Sequence, residues 1–256
     1  MMKNKWKSYS GLAWTELILC SPEEFIEETE LFCKTIMDHS RNSSKTLLHL
    51  GCGAGINDWT FKRHFNVTGI DISKGMLKIA QNLNPEVTYV HGDMRTIKLP
   101  EQYDAVAIPD SIGYMATFDD LKKTVLTSCD YLKKGGVLLI VAQMPDDFKE
   151  NNFVYTGKKG DIDITLFENN HFLSSKKDKY EALFTYLIRR KGKLKIVNDS
   201  HVIRLFPLET WISLFKDAGL EIAKIKINTL YDRFIMDQGE YALKLFVCVK
   251  PDSSGK

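Results

Sequence analysis

Three glycines at alternate positions, Gly51, Gly53 and Gly55, follow a short apolar run, Thr46 to Leu50. A bend without Cβ atoms lets a ligand approach the backbone, and free N–H groups at the start of a helix favour an oxygen-rich one. Asp71 ends the next apolar run, Val67 to Ile72, 71 − 51 = 20 residues past the first glycine. A carboxylate there can accept both hydroxyls of a ribose. Two acids repeat that placement. Asp93, in Gly92-Asp93-Met94-Arg95, follows the run Val87 to His91, and Asp110, in Pro109-Asp110-Ser111-Ile112-Gly113-Tyr114, follows Tyr103 to Ile108. The pattern implies nucleoside binding, with Asp110, Tyr114 and Tyr9 as candidate catalytic groups facing a second reactant. His201 and His171 are the imidazoles that could reach in as a base near neutral pH, and each also suits a surface strand.

These residues need elements to hold them. From 45 to 142 the chain alternates strand and helix four times, which predicts a doubly wound, mostly parallel sheet with ligands beyond the carboxyl ends of the strands. Ser21-Pro22-Glu23-Glu24 is a capping signal for a helix whose apolar face runs from Phe25 to Met37. Ser73 and Thr117 are expected caps of the helices after Asp71 and after Tyr114, and Gly135-Gly136 is read as closing the second before a strand over Val137 to Ala142. Residues 146–206 change character. Polar turns at 151–152, 157–160, 169–170 and 174–178 separate β-rich runs at 161–167, 180–189 and 194–205, which predicts an antiparallel insertion of three or four strands. The core is thus 1–145 with 207–256, and 146–206 forms an acceptor pocket, a homodimer contact, or both. Arg189-Arg190-Lys191-Lys193-Lys195 falls on a hairpin and reads as lysine-rich edge protection. Ahead of the core, Tyr9 and Trp14 are either a hydrophobic staple or a lid over the site.

Composition narrows the class. The chain has 256 residues, 44% hydrophobic and 27% charged, with a net charge of +2, so no global field argues for nucleic acid or membrane. No apolar run reaches membrane-spanning length, and the first residues lack a signal-peptide pattern. The five cysteines show no C-x-x-C spacing and read as reduced thiols of a cytoplasmic protein; Cys52 is a small residue within the bend. No metal cluster is expected.

The glycine spacing separates two nucleotide types. The dinucleotide fingerprint is G-x-G-x-x-G, whereas here the third glycine comes one position early and Ile56 fills its slot. With Thr68-Gly69-Ile70-Asp71-Ile72-Ser73, Met76-Leu77, Gly92-Asp93-Met94 and Lys134-Gly135-Gly136-Val137, the chain resembles a class I S-adenosylmethionine-dependent methyltransferase, closely over about 40–145. The resemblance implies a seven-stranded Rossmann-like fold and S-adenosylmethionine as cofactor. It implies that Gly51, Cys52, Gly53 and Gly55 line the methionyl and ribose parts, that Asp71 binds the ribose with Ile72 and Met76 near the adenine, and that Asp93, beside Gly92, accepts from the adenine amino group under Met94. Pro109 to Ile112 would lie beneath the sulfonium. Asp-Met-Arg and Ile112-Gly113-Tyr114 are similar to small-molecule enzymes such as glycine N-methyltransferase and amino-sugar N,N-dimethyltransferases, which implies transfer to N or O of a small molecule. Two departures stand out. His49 occupies a position usually acidic in that family, and Tyr114 stands where amino-sugar enzymes tend to carry histidine. His49 either steadies the cofactor loop or is a packed strand residue. The competing readings are a nicotinamide-dependent oxidoreductase, a nucleic-acid methyltransferase, which usually shows Asn/Asp-Pro-Pro-aromatic after the fourth strand, and a non-catalytic binder of the same cofactor.

Overall fold

A computed structural model describes residues 6–228 and 242–252; residues 1–5 of the N-terminal lead-in lie outside it. The strands of the first sheet are β1 (Thr46–Leu50), β2 (Asn66–Asp71), β3 (Thr88–His91), β4 (Tyr103–Ile108), β5 (Leu132–Ala142), β10 (Glu221–Asn228) and β11 (Leu243–Val249). Their order is β10-β11-β5-β4-β1-β2-β3. β1, β2, β3, β4 and β5 are parallel, and β11 runs against both β5 and β10.

β4 is buried along its whole length and β1 along nearly all of it, which fits their mostly apolar sequences. One face carries α2 (Ile26–His39) and the single-turn α3 (Asp58–Phe61), with Phe32, Ile36 and Phe61 fully buried against Leu47, Ala105 and Leu139. The other carries α5 (Phe118–Tyr131) and α6 (Leu208–Asp217), whose Leu121, Val125, Trp211 and Phe215 pack on Leu48, Val106, Leu138 and Phe246. Caps fall where the sequence puts them. Met76 N–H donates to Ser73 Oγ at the head of α4 (Lys74–Leu83), and Asp120 N–H donates to Thr117 Oγ1 at the head of α5.

Two boundaries differ from expectation. α5 ends at Tyr131, and β5 begins at Leu132; Gly135-Gly136 is a bulge inside the strand, where Tyr103 pairs Leu132 but Ala105 pairs Val137. In the insertion, the asparagines at 151–152 and 169–170 are ladder residues rather than turns. β6 (Asn151–Lys159), β7 (Ile162–Phe172), β8 (Lys179–Arg190) and β9 (Lys193–Arg204) form one antiparallel sheet in sequence order. Asn170 donates to Asn151 Oδ1 at 2.9 Å and Asn169 donates to Asn152 Oδ1 at 2.7 Å, so side-chain amides pair across the strands. The basic hairpin turns at Lys191-Gly192, both with positive φ, as a two-residue turn requires.

Residues 6–20 run between this sheet and the core. A 3-10 turn (Ala13–Thr15) leads into the short helix α1 (Glu16–Leu19), and Leu12, Leu19 and Ile18 pack on Ile164, Leu166, Tyr186 and Ile188 of the sheet's inner face. On the other side, Ala13 and Tyr9 meet Ala54 and Met76.

Candidate functional site

The glycine bend folds over the end of β2: Gly51 and Cys52 N–H both donate to Ile70 O, at 2.7 and 3.0 Å. All three glycines have positive φ. A Cβ on Gly51 would lie 1.9 Å from Ser111 Oγ and 3.0 Å from Met94 Cε, so the bend, the β4 tip and the segment after β3 converge there. A Cβ on Gly53 would meet no atom within 4 Å, which leaves open space above its backbone. Asp71 borders that space. Its Oδ2 accepts from Gly53 N–H at 2.9 Å and its Oδ1 from Ser73 N–H at 2.7 Å. Burial lifts its carboxyl above the ordinary aspartate range, against both hydrogen bonds.

A buried polar chain supports the bend from below. His49 Nδ1 lies 2.6 Å from Asp58 Oδ1, and both side chains are almost fully buried. Tyr89 OH donates to Asp58 Oδ2 at 2.9 Å, while Asn84 Nδ2 donates to Tyr89 Oη at 3.1 Å and to Gly55 O at 2.9 Å. The carboxylate partner of His49 thus comes from α3. The Cys52 thiol is raised well above its ordinary value by burial, then by Asp58 and Asp71, which keeps it a neutral thiol.

The other cofactor candidates are placed as follows. Met76 is buried behind the bend, and Ile72 is 46% exposed. Gly92 N–H donates to Asp71 O at 3.0 Å, joining the third tip to the second. Pro109 is buried at the end of β4. Asp93 is already engaged: Arg95 Nε reaches its Oδ1 at 2.9 Å and Arg95 Nη2 its Oδ2 at 2.5 Å, while Arg95 Nη1 ties to Asp120. The Arg95 bonds hold the Asp93 carboxyl below the ordinary range, against burial. Of the two aromatics ahead of the core, Tyr9 reaches the site, and its carbonyl accepts from Ser73 Oγ beside Asp71. Trp14 stays 43% exposed.

Beyond the β4 tip the site widens toward the inner face of the four-stranded sheet. Asp110 opens to this space, and loss of hydration raises its carboxyl. Glu16 of α1 and Glu168 of β7 lie near enough to Asp110 to be acted on by its charge. Burial and repulsion by Asp110 push Glu16 up to about 7. Burial likewise pushes Glu168 up to about 7, against Asn170 and Tyr155, with Asp110 adding to the rise. Among the described residues no lysine, arginine or histidine forms an ion pair with any of the three.

A line of polar groups closes the enclosure on one side. Tyr9 Oη lies 2.7 Å from Tyr114 Oη, and Tyr114 Oη lies 2.7 Å from His201 Nδ1. His201 Nε2 lies 3.0 Å from Asp199 Oδ2, which also accepts from Ser8 N–H and Ser8 Oγ, each at 2.7 Å. Trp6 packs over Tyr114 and His201, with ring centroids 5.0 and 5.2 Å away. Burial raises both tyrosines well above the ordinary value, so they are neutral phenols. His171, the other candidate imidazole, is 61% exposed and paired with Glu150.

Glu16, Glu168, Asp199 and Asp58 were not singled out in the sequence. For two of them a signal exists: Asp199 and His201 stand two apart on one strand and therefore share a face, and Glu168 follows the buried Ile164 and Leu166 on one face of β7.

The family model described as "Methyltransferase domain" matches residues 47–136. A putative methyltransferase of Geobacillus sp. (strain WCH70) is 30% identical over 202 residues, 75% of this chain and 80% of that protein. The dTDP-3-amino-3,4,6-trideoxy-alpha-D-glucopyranose N,N-dimethyltransferase of Streptomyces venezuelae is 27% identical over 182 residues, 70% of this chain and 76% of that protein. Among solved structures, an amino pentose methyltransferase from Micromonospora echinaspora with bound SAM superposes with a TM-score of 0.72 at 21% identity, covering 88% of this chain and 91% of that one.

Proposed function

The chain belongs to the class I S-adenosylmethionine-dependent methyltransferases, and from that premise we propose that it methylates the nitrogen of a small-molecule amine held between the strand tips and the inner face of the antiparallel sheet. The observation that carries the acceptor class is the set of three carboxyls, Asp110, Glu16 and Glu168, that lie together without a cation of the described residues paired to them. Such a lining attracts an ammonium, whose extra proton Glu16 or Glu168, up at about 7, can accept before transfer, and it disfavours an anionic acceptor. The relatives named as amino-sugar N,N-dimethyltransferases support the same choice.

The residues fit the cofactor. The open space above Gly53 admits it, and the half-buried Asp71 carboxylate, lifted by loss of water, gains by accepting ribose hydroxyls. S-adenosylmethionine supplies a methyl group already activated by its sulfonium, so positioning provides most of the acceleration. In this reading Gly51 to Gly55 and Asp71 hold the nucleoside, Pro109 and Asp110 border the transfer site, and Tyr9 and Tyr114 wall the acceptor. The domain assignment follows: 1–145 and 207–256 bind the cofactor and 146–206 completes the acceptor pocket. A homodimer through the outer face of the insertion is supported by the exposure of Phe167, Leu183, Ile196 and Val202 there. No helix of the described residues is long and apolar enough to cross a membrane, and a cytoplasmic setting suits the free cysteines.

The test is methyl transfer from radiolabelled S-adenosylmethionine to a panel of nucleotide-linked amino sugars, simple primary amines, alcohols and carboxylic acids. Turnover confined to amines is the expected result. Turnover confined to acids or alcohols overturns the assignment.

A further inference from the structure

We propose that His201, held by Asp199, is the terminal base of a hydrogen-bonded relay through Tyr114 and Tyr9 that takes up the proton the amine loses on methylation. The inference rests on the methyltransferase reading and adds residues from the inserted sheet to it.

The direction of the relay follows from the acceptor at its end. Asp199 Oδ2 receives Ser8 N–H and Ser8 Oγ–H and faces His201 Nε2. Although burial opposes it, these bonds hold the Asp199 carboxyl below the ordinary range, so it is an ionised group that only accepts. Nε2 must then carry the imidazole proton. Burial lowers His201 despite Asp199, so the ring is neutral near pH 7 and its Nδ1 is a lone pair. Tyr114 donates to that lone pair at 2.7 Å, and Tyr9 donates to Tyr114 at 2.7 Å. When the amine N–H bond breaks, its proton passes to Tyr9 oxygen, the Tyr9 proton to Tyr114, and the Tyr114 proton to Nδ1. The product is an imidazolium beside the Asp199 carboxylate, and no phenolate accumulates.

The surroundings of the ring suit this role. Besides Asp199 on its own strand, it is faced by Tyr114 from the turn after β4, by Tyr9 and Trp6 from the N-terminal segment, and by Phe184 from β8 at 4.8 Å. Asp110 and Glu16 act on Tyr9, Tyr180 acts on Tyr114, and the Lys7 ammonium is spent on Asn198 O. Thus Asp199 is the charged group in hydrogen-bond contact with the ring, and it stabilises the imidazolium form.

Two arms test the relay. The first needs no acceptor: nitrogen-15 spectra of the histidine rings in the S-adenosylhomocysteine complex, with His201 assigned by loss of its signals in His201→Asn. The expected state is a neutral ring protonated at Nε2 down to below pH 6.5, with the Nδ1 resonance shifted in Tyr114→Phe. Protonation at Nδ1, or a resonance that Tyr114→Phe leaves in place, overturns the relay whatever the acceptor is. The second arm is the pH profile of kcat with the best amine of the panel. His201→Asn is expected to lower kcat about 100-fold, in the range of general-base contributions, and to abolish the acidic limb, while KM and S-adenosylhomocysteine affinity stay within about threefold. A loss that is uniform in pH, or that follows lost ligand affinity, overturns the base role. If no amine is methylated, the acceptor assignment fails while the ring spectra still decide the relay.

Discussion

Asp71 carries the cofactor assignment at the scale of one residue. It touches two strand tips at once, through Gly53 N–H and Ser73 N–H. Asp71→Ala is expected to abolish S-adenosylmethionine binding in calorimetry while circular dichroism stays native; unchanged affinity would remove Asp71 from the ribose site. On the acceptor side, Glu16→Gln keeps shape and removes charge. It should raise KM for the amine about tenfold, about 1.4 kcal/mol, and leave cofactor affinity alone. Equal KM values for the two enzymes would show that Glu16 does not attract the amine. That the glycine bend and Asp71 meet was legible in the sequence because their placement is tied to short spacing, whereas Tyr9 was marked only as an aromatic ahead of the core. Asp58 was not legible, because its partners are brought to it by α3; Asp199 and Glu168 carried only strand alternation as a signal, since Ser8 and Tyr155 reach them through the fold. His49 was open between two roles for the same reason, since its partner is nine residues on and visible only once α3 turns back.

At the scale of elements, the N-terminal segment is the least independent part. Ile18 O lies so near Gly157 of β6 that a Cβ there would sit 1.8 Å away. Gly157→Ala should therefore push α1 off the sheet. The expected readout is faster proteolytic cleavage within residues 6–20, with amine turnover lost and cofactor binding kept; an unchanged cleavage pattern would show that the contact yields without undocking. Thr117→Ala removes the cap of α5 and should cost about 1 kcal/mol in denaturant unfolding, without effect on ligand affinity. Element types were largely legible, since β1, β2 and β4 are apolar runs punctuated by glycine or acid. Two misreadings share a cause. Asn151 with Asn170, and Gly135 with Gly136, are turn formers by local preference, and the sheets override that preference with cross-strand amide pairs and with a bulge.

The whole molecule stores a pH dependence in its acceptor enclosure. Glu16 and Glu168, up to about 7 when folded and 4.5 ordinarily, bind protons in the folded chain where the unfolded chain has released them. Their contribution to stability is complete below pH 4.5 and is lost as pH rises through about 7. His201, lowered by burial, contributes with the opposite sign: its part is present above its ordinary 6.5 and lost as pH falls through the folded value. The two carboxyls outweigh one ring, so the unliganded protein should melt lower at pH 8 than at pH 5.5, and Glu16→Gln with Glu168→Gln should flatten the slope. A steeper slope in that double variant would contradict the assignment. The doubly wound order was legible from alternation alone, and the antiparallel insertion from its turns. That residues 6–20 pack on the inner face of the insertion and also reach the glycine bend was not, because no local pattern states which surfaces meet.

The same fifteen residues grip both halves of the site, through Tyr9 O on Ser73 and through Ser8 on Asp199. Product release is therefore expected to require lifting this strip, so that departure of products competes with chemistry for control of turnover. Rapid-mixing experiments should show a burst of methylated amine in the first cycle followed by a slower steady phase, and added viscogen should slow only the second.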